Sequence, residues 1–341
     1  MKAAVYEGGQ RIVIRDVEKP RIFDNQVLIK VKYCGICGAD LFIASGNHPR
    51  IKPPTIIGHE FAGEIVAINQ LKGPKNLQIG DRVAVKPTYS CKECSTCKAG
   101  YFHVCKNIGL FGIDQDGGFA EFVKVPIENV IKVSDQVNYE EIAIIEPLAV
   151  ALHSIRRSRF RIGDRVIILG GGPIGLLIGL LLKLAGASLI IISEVNPFRI
   201  KIIKEMGLIP VNPLKDDLSS IVKGKTDGDG FDILFEAAGV LATSKQMVEF
   251  TKIRGQIVIV GLFEEGADCD FRNLALKEQD IVGVRVYTED DINKAVKMLE
   301  TQQINVKPLI TNKLKLEELN KGIEMIRNKD DVFKILISPE R

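Results

Sequence analysis

The chain has 341 residues, 46% hydrophobic and 26% charged, with 31 Gly, 14 Pro, 7 Cys, 4 His and no Trp. At ~100–200 residues per domain this length predicts two domains, and the composition excludes a mostly disordered or collagen-like chain. With 46 Lys and Arg against 43 Asp and Glu, spread rather than blocked, the net charge of +3 leaves no footprint for nucleic acid. Met1-Lys2-Ala3-Ala4-Val5-Tyr6 is followed by charge, so no signal peptide is expected. The longest apolar stretch, 174–182, is less than half of a ~20-residue membrane span. The expectation is a soluble, cytoplasmic protein with no membrane or nucleic-acid partner.

The first 150 residues read as short strands and turns, at 27–31, 65–68, 82–85 and 119–125, with long loops between them. One loop carries Cys91, Cys94, Cys97 and Cys105. Thiolates repel each other, and zinc takes four sulfurs tetrahedrally, with two-residue spacers letting the backbone fold around the ion. Four protein ligands leave no open position, so such a site is structural. Iron–sulfur ligation is the weaker alternative, because Lys106 stands where a ferredoxin-like run has Pro. Buried or oxidised cysteines are a third, disfavoured by the polar residues Lys92, Glu93, Ser95, Thr96 and Lys98 between them.

From residue 165 the pattern changes. The apolar run 166–169 suits a buried parallel strand, followed by Gly170-Gly171-Gly172-Pro173-Ile174-Gly175 and a helix over 176–184. Strands at 189–192, 231–235 and 256–260 alternate with helices at 197–206 and 243–251, which implies βαβ units on a doubly wound parallel sheet. Helices at 290–300 and 316–326 and a strand at 333–337 close the chain. Gly170, Gly172 and Gly175 follow a strand, open a helix and have Glu194 about 20 residues on, which is the dinucleotide fingerprint. Gly170 permits the tight turn, Gly172 lets the backbone approach a pyrophosphate and Gly175 lets helix and sheet pack, with the free N–H groups of the helix start facing the phosphates where Pro173 and Ile174 open the helix. Glu194 would accept the ribose diol and repel a 2′-phosphate, favouring NAD over NADP, although Arg199 softens that repulsion.

Two further segments, Cys37-Gly38-Ala39-Asp40 and Gly58-His59-Glu60, are ordinary singly. With the cysteine loop, the glycine loop and Ile145-Glu146-Pro147-Leu148-Ala149-Val150-Ala151-Leu152-His153, they resemble the zinc-containing medium-chain dehydrogenase/reductase family. The resemblance is to its sorbitol, threonine and butanediol dehydrogenase branch and covers nearly the whole chain. It implies a GroES-like β-rich catalytic domain (1–150), a Rossmann NAD-binding domain (151–285) and a C-terminal segment (286–341) that returns to the first domain. It also implies a catalytic zinc held by Cys37, His59 and Glu60, with Glu146 at the metal or exchanging with its water. Neighbours in an extended strand face opposite ways, so His59 and Glu60 can share an ion only through a turn, which Gly58 permits. A homo-oligomer, a dimer or tetramer, is implied as well.

The activity implied is hydride transfer between NAD and a secondary alcohol or ketone, with a polyol or sugar-derived alcohol as the first expectation. Threonine or butanediol is the alternative substrate, and an NAD-binding scaffold without turnover is the rival from another class. That rival rests on two departures from the family pattern. Ala39 stands where a Ser or Thr starts the proton relay, and Phe42 where a His continues it. The proton would then leave through water, Glu146 or His48. Phe119 and Tyr287 are expected near the substrate or as packing aromatics, Asp40 as a helix cap or a group behind a ligand, and Cys34 and Cys269 as inert. Arg285 is offset by one residue from a substrate-binding Arg, and no role is transferred to it.

Overall fold

The computed structural model describes residues 1–69, 76–263 and 266–340. The chain divides into two compact units, Met1–Glu146 with Thr288–Arg341, and Pro147–Tyr287. The division falls within the helix Ile145–Arg157.

The first unit is β-rich. Its central strand, Gln26–Gly35, buries Val27, Ile29 and Val31 in one core, the period-two pattern of a half-buried strand. Among the described residues the main sheet runs in the order Val130–Lys132, Arg82–Val85, Glu60–Asn69, Gln26–Gly35, Lys334–Ser338, Ile310–Lys315, with Phe122–Pro126 also pairing with Gln26–Gly35. The last two strands of the chain therefore belong to the sheet built by its beginning. A short helix, Gly38–Ala44, interrupts a region that reads as strand and loop. The strand expected at 119–125 begins only at Phe122, because Gly118 and Phe119 first bond to the carbonyls of Gly58 and Ile57.

The second unit is a six-stranded parallel sheet among the described residues. Its order is Ile209–Val211, Leu189–Ser193, Arg165–Leu169, Phe231–Glu236, Thr251–Ile259, Asp280–Gly283. In chain order this is 3-2-1-4-5-6, the doubly wound arrangement whose ligand crevice lies where the order reverses, beyond the first and fourth strands. Val166, Ile167, Ile168 and Leu169 are all fully buried, as expected for a strand covered on both faces. The helix expected at 243–251 is instead two pieces, Leu241–Ser244 and Met247–Phe250. Thr251 already starts the next strand, and its hydroxyl donates back to the carbonyl of Met247 at 2.8 Å, which ends the helix. The helix after the glycine loop begins at Pro173, not 176, because Pro at the first helical position loses no hydrogen bond.

Candidate metal centres and dinucleotide site

Cys91, Cys94, Cys97 and Cys105 converge with all four sulfurs within 4.8 Å of one another. The Sγ separations are 3.5 Å for Cys94–Cys97, 3.9 Å for Cys94–Cys105 and 3.4 Å for Cys91–Cys105. Four sulfurs at ~2.3 Å from a tetrahedral zinc lie about 3.8 Å apart, so the spacing fits that ion. All four are free thiols. Bonds from Thr96 and backbone N–H groups pull the Cys94 thiol down to about 5, while burial and the neighbouring sulfurs push Cys97 up to about 12. A cluster that cannot hold all its negative charge without a counter-cation is a cation site.

Cys37, His59 and Glu60 form a second donor set within 4.8 Å. Cys37 ends the central strand's extension and caps the helix Gly38–Ala44. His59 and Glu60 reach one site because Gly58 turns the chain there with φ +96°. A Cβ on Gly58 would lie 2.7 Å from Phe119 and 2.9 Å from the sulfur of Cys34, so a side chain has neither the conformation nor the space. Phe119 is fully buried against that turn and acts as its packing floor, and Cys34 is buried beside it, its thiol pushed well above its ordinary range by burial.

Asp40 is the helix cap expected of it, and it also lies beside His59. Its Oδ2 accepts the N–H of Cys37 at 2.8 Å, and its Oδ1 lies 4.0 Å from Nδ1 of His59. Burial opposes a charge on His59, but the Cys37 thiolate, Asp40 and Glu60 outweigh it and raise its pKa to about 10. Asp40 Oδ1 and His59 Nδ1 are buried with no hydrogen-bond partner. Thiolate, imidazole and carboxylate converging in a buried place fit a bound divalent cation. Glu146 stands outside this tight donor set, though close enough to act on the charge of Lys334. Nδ1 of His48 takes the N–H groups of Arg50 and Ile51 at 3.4 and 3.3 Å, which leaves Nε2 as the donor nitrogen.

In the second unit Gly170 turns at φ +105°, and a Cβ on Gly175 would overlap the Gly170 carbonyl. Gly172 caps the helix Pro173–Leu184, whose first N–H groups, from Ile174 on, have no intrahelical acceptor. Glu194 directly follows the second strand, Leu189–Ser193, and is buried. Its carboxylate accepts Gly171 N–H at 3.1 Å, Val195 N–H at 2.7 Å and Asn196 N–H at 2.9 Å, with Arg199 3.8 Å away.

Two groups here escape sequence reading. Glu236, at the end of the fourth strand, takes Ala238 N–H, Gly239 N–H and the Thr243 hydroxyl at 3.0, 2.8 and 2.7 Å, shaping the loop beside the glycines. Lys334, a charge inside an apolar strand, pairs with Glu60. That misplaced charge is the one signal the sequence offered for it.

A closed four-sulfur site, a Cys/His/Glu donor set and a doubly wound dinucleotide fold define a zinc-type oxidoreductase. Residues 23–135 match the alcohol dehydrogenase GroES-like domain and residues 173–301 the zinc-binding dehydrogenase family. The chain is 33% identical to 2-dehydro-3-deoxy-L-galactonate 5-dehydrogenase of Pseudoalteromonas atlantica, covering 99% of this chain and 98% of that protein. It is also 33% identical to sorbitol dehydrogenase of Halalkalibacterium halodurans, covering 99% of each. The crystal structure of 2R,3R-butanediol dehydrogenase from Bacillus subtilis superposes with a TM-score of 0.91 at 33% identity over 99% of both chains. The chain belongs to the zinc-containing medium-chain alcohol dehydrogenases, and the GroES-like and Rossmann folds expected from the sequence are those observed.

Proposed function

We propose that this dehydrogenase oxidises a secondary alcohol of a polyol or sugar-derived compound, with NAD as acceptor, at a zinc held by Cys37, His59 and Glu60. The observation that carries this reading is the second donor set, in which thiolate, imidazole and carboxylate meet with no fourth protein donor among the described residues. That is the donor count of a catalytic zinc, which keeps one position for substrate. When bound, the zinc supplies Lewis acidity toward a hydroxyl and NAD the hydride acceptor. Cys91, Cys94, Cys97 and Cys105 hold a second, structural zinc.

The chain's own groups do the rest. Asp40 orients His59 from behind, and Glu194, pinned by three backbone N–H groups, presents a fixed anion where an adenosine ribose diol binds and a 2′-phosphate is repelled. Ala39 and Phe42 offer no hydroxyl or imidazole to start a proton relay. A substrate with neighbouring hydroxyls supplies that function itself, as the named compounds of the relatives would. His48, with Nδ1 taken by backbone, serves as a donor rather than a base.

We further propose a homo-oligomer in the cytoplasm. Among the described residues the strand Asp280–Gly283 is an edge of the parallel sheet with Ile281 41% exposed, and the preceding helix Phe271–Leu276 leaves Phe271 (70%) and Leu276 (71%) open. Unpaired edges with apolar side chains invite a second copy. A reducing compartment keeps four thiols available for metal. No helix among the described residues is long and apolar enough to cross a membrane.

The deciding experiment is NAD reduction by the zinc-loaded protein over polyols, sugar acids, diols and L-threonine. Turnover on polyols or sugar-derived alcohols is expected. Turnover on L-threonine alone would replace the substrate reading, and none on any alcohol, with one zinc per chain, would favour a scaffold.

A further inference from the structure

Lys334 opens the strand Lys334–Ser338 in a run where Phe333, Ile335, Leu336 and Ile337 are all buried. It is only 4% exposed. Its Nζ donates to the carbonyl of Ile36 at 2.9 Å and forms an ion pair with Oε2 of Glu60. A buried ammonium is costly unless paired, so a lysine at a core position of a strand calls for a reason.

The pair forms across an intervening strand. Gly35, at the end of Gln26–Gly35, stands in register with Glu60 on one side and Leu336 on the other. A Cβ at position 35 would overlap Glu60 Oε2 and lie 2.9 Å from Cε of Lys334. Only a glycine there lets the two side chains meet over the middle strand. Glycine, lysine and glutamate thus form one device, contributed by three strands of the sheet.

We propose that Lys334 is a positioning residue for the metal, holding one oxygen of Glu60 so that the carboxylate stands beside Cys37 and His59 with a single oxygen to offer. The inference rests on the metal-binding reading of Cys37, His59 and Glu60. A carboxylate released from Lys334 rotates about its side-chain torsions and binds with both oxygens or none. The closing strand of the chain supplies no ligand, yet it sets how one ligand is presented.

The test uses the full-length zinc-loaded protein and the variants Lys334→Met, Gly35→Ala and Glu60→Gln. It measures zinc release to a coloured chelator and the visible spectrum after cobalt(II) exchange. Wild type is expected to hold about two zincs per chain. Lys334→Met should release one of them about 10- to 100-fold faster, with altered cobalt bands, while the four-cysteine zinc leaves at its wild-type rate. Gly35→Ala should reproduce the faster release with both charges still present, and it decides the question if Lys334→Met does not fold. In the Glu60→Gln background, Lys334→Met should add nothing. Wild-type release rates and unchanged cobalt bands in both single variants would overturn the proposal, as would an undiminished Lys334→Met effect without Glu60. A wild-type protein holding a single zinc would instead overturn the metal-binding reading itself.

Discussion

At the residue scale the proposed chemistry rests on buried donors that ordinary folding would avoid. His59 is 5% exposed and Glu60 2%, both beside a thiol and a second carboxylate. His59→Ala removes one donor and leaves the rest as uncompensated charge. It is expected to lower kcat by about 10³-fold or more while NAD still binds. Stopped-flow turnover and NAD fluorescence titration check both halves, and retained turnover would remove His59 from the metal. The convergence of Cys37, His59 and Glu60 was legible in the sequence through the resemblance that the surrounding motifs carry. Lys334 and Gly35 were not: Lys334 meets Ile36 across 298 positions of chain, and a glycine at a strand end has many ordinary reasons to be there.

At the scale of elements, two features of the parallel sheet carry predictions. Gly175 sits where the helix Pro173–Leu184 presses on the turn before it, with Ile168 3.3 Å from any added Cβ. Gly175→Ala must push that helix off the strand Arg165–Leu169. The expected result is a loss of about 1–3 kcal/mol in urea unfolding and a weakening of NAD binding larger than any effect on zinc content. At the opposite end of the sheet, Asp232 accepts the N–H of Arg165 at 2.7 Å and pairs with Lys252, tying the starts of three strands. Burial opposes its charge, but Lys252 and the Arg165 N–H outweigh it and hold its pKa below the ordinary 3.8. A depressed carboxylate stabilises the fold above its unfolded pKa of about 3.9, and that contribution is lost as pH falls through the folded value. Asp232→Asn should therefore cost about 1–2 kcal/mol at pH 7, with the gap from wild type constant down to about pH 5 and closing below about pH 4. Urea titrations across that range read it directly.

The four inner strands of this sheet and the helices Pro173–Leu184 and Pro197–Glu205 followed from apolar runs and turn residues, since a strand buried on both faces announces itself by composition. The short edge strands Ile209–Val211 and Asp280–Gly283 and the helix Leu218–Thr226 were not legible, because partly exposed elements carry no such run. The helix expected at 243–251 broke into two because Thr251 serves the next strand, and no local pattern separates those demands.

At the scale of the whole molecule, the proposed role of the four-cysteine site is stability, not chemistry. Cys97→Ser should lose one zinc per chain and lower Tm by roughly 5–10 °C, or weaken assembly, before it touches the chemical step. Metal analysis, calorimetry and light scattering decide this. A normally folded, normally assembled but inactive variant would contradict it.

Length, composition and local pattern determined on their own a β-rich first half and a doubly wound second half, and the motifs carried the resemblance to the family and its candidate donors, because each is written in neighbouring residues. That Glu146 stands outside the three-donor set, that Asp40 accepts the Cys37 N–H while lying 4.0 Å from His59, and that Gly35 leaves room for Lys334 to pair with Glu60 emerged only from the folded chain. The reason is distance along the sequence: strands from residues 26–35, 60–69 and 334–338 become neighbours only after the sheet has formed. A charge's partner across such a gap leaves no periodic or local trace.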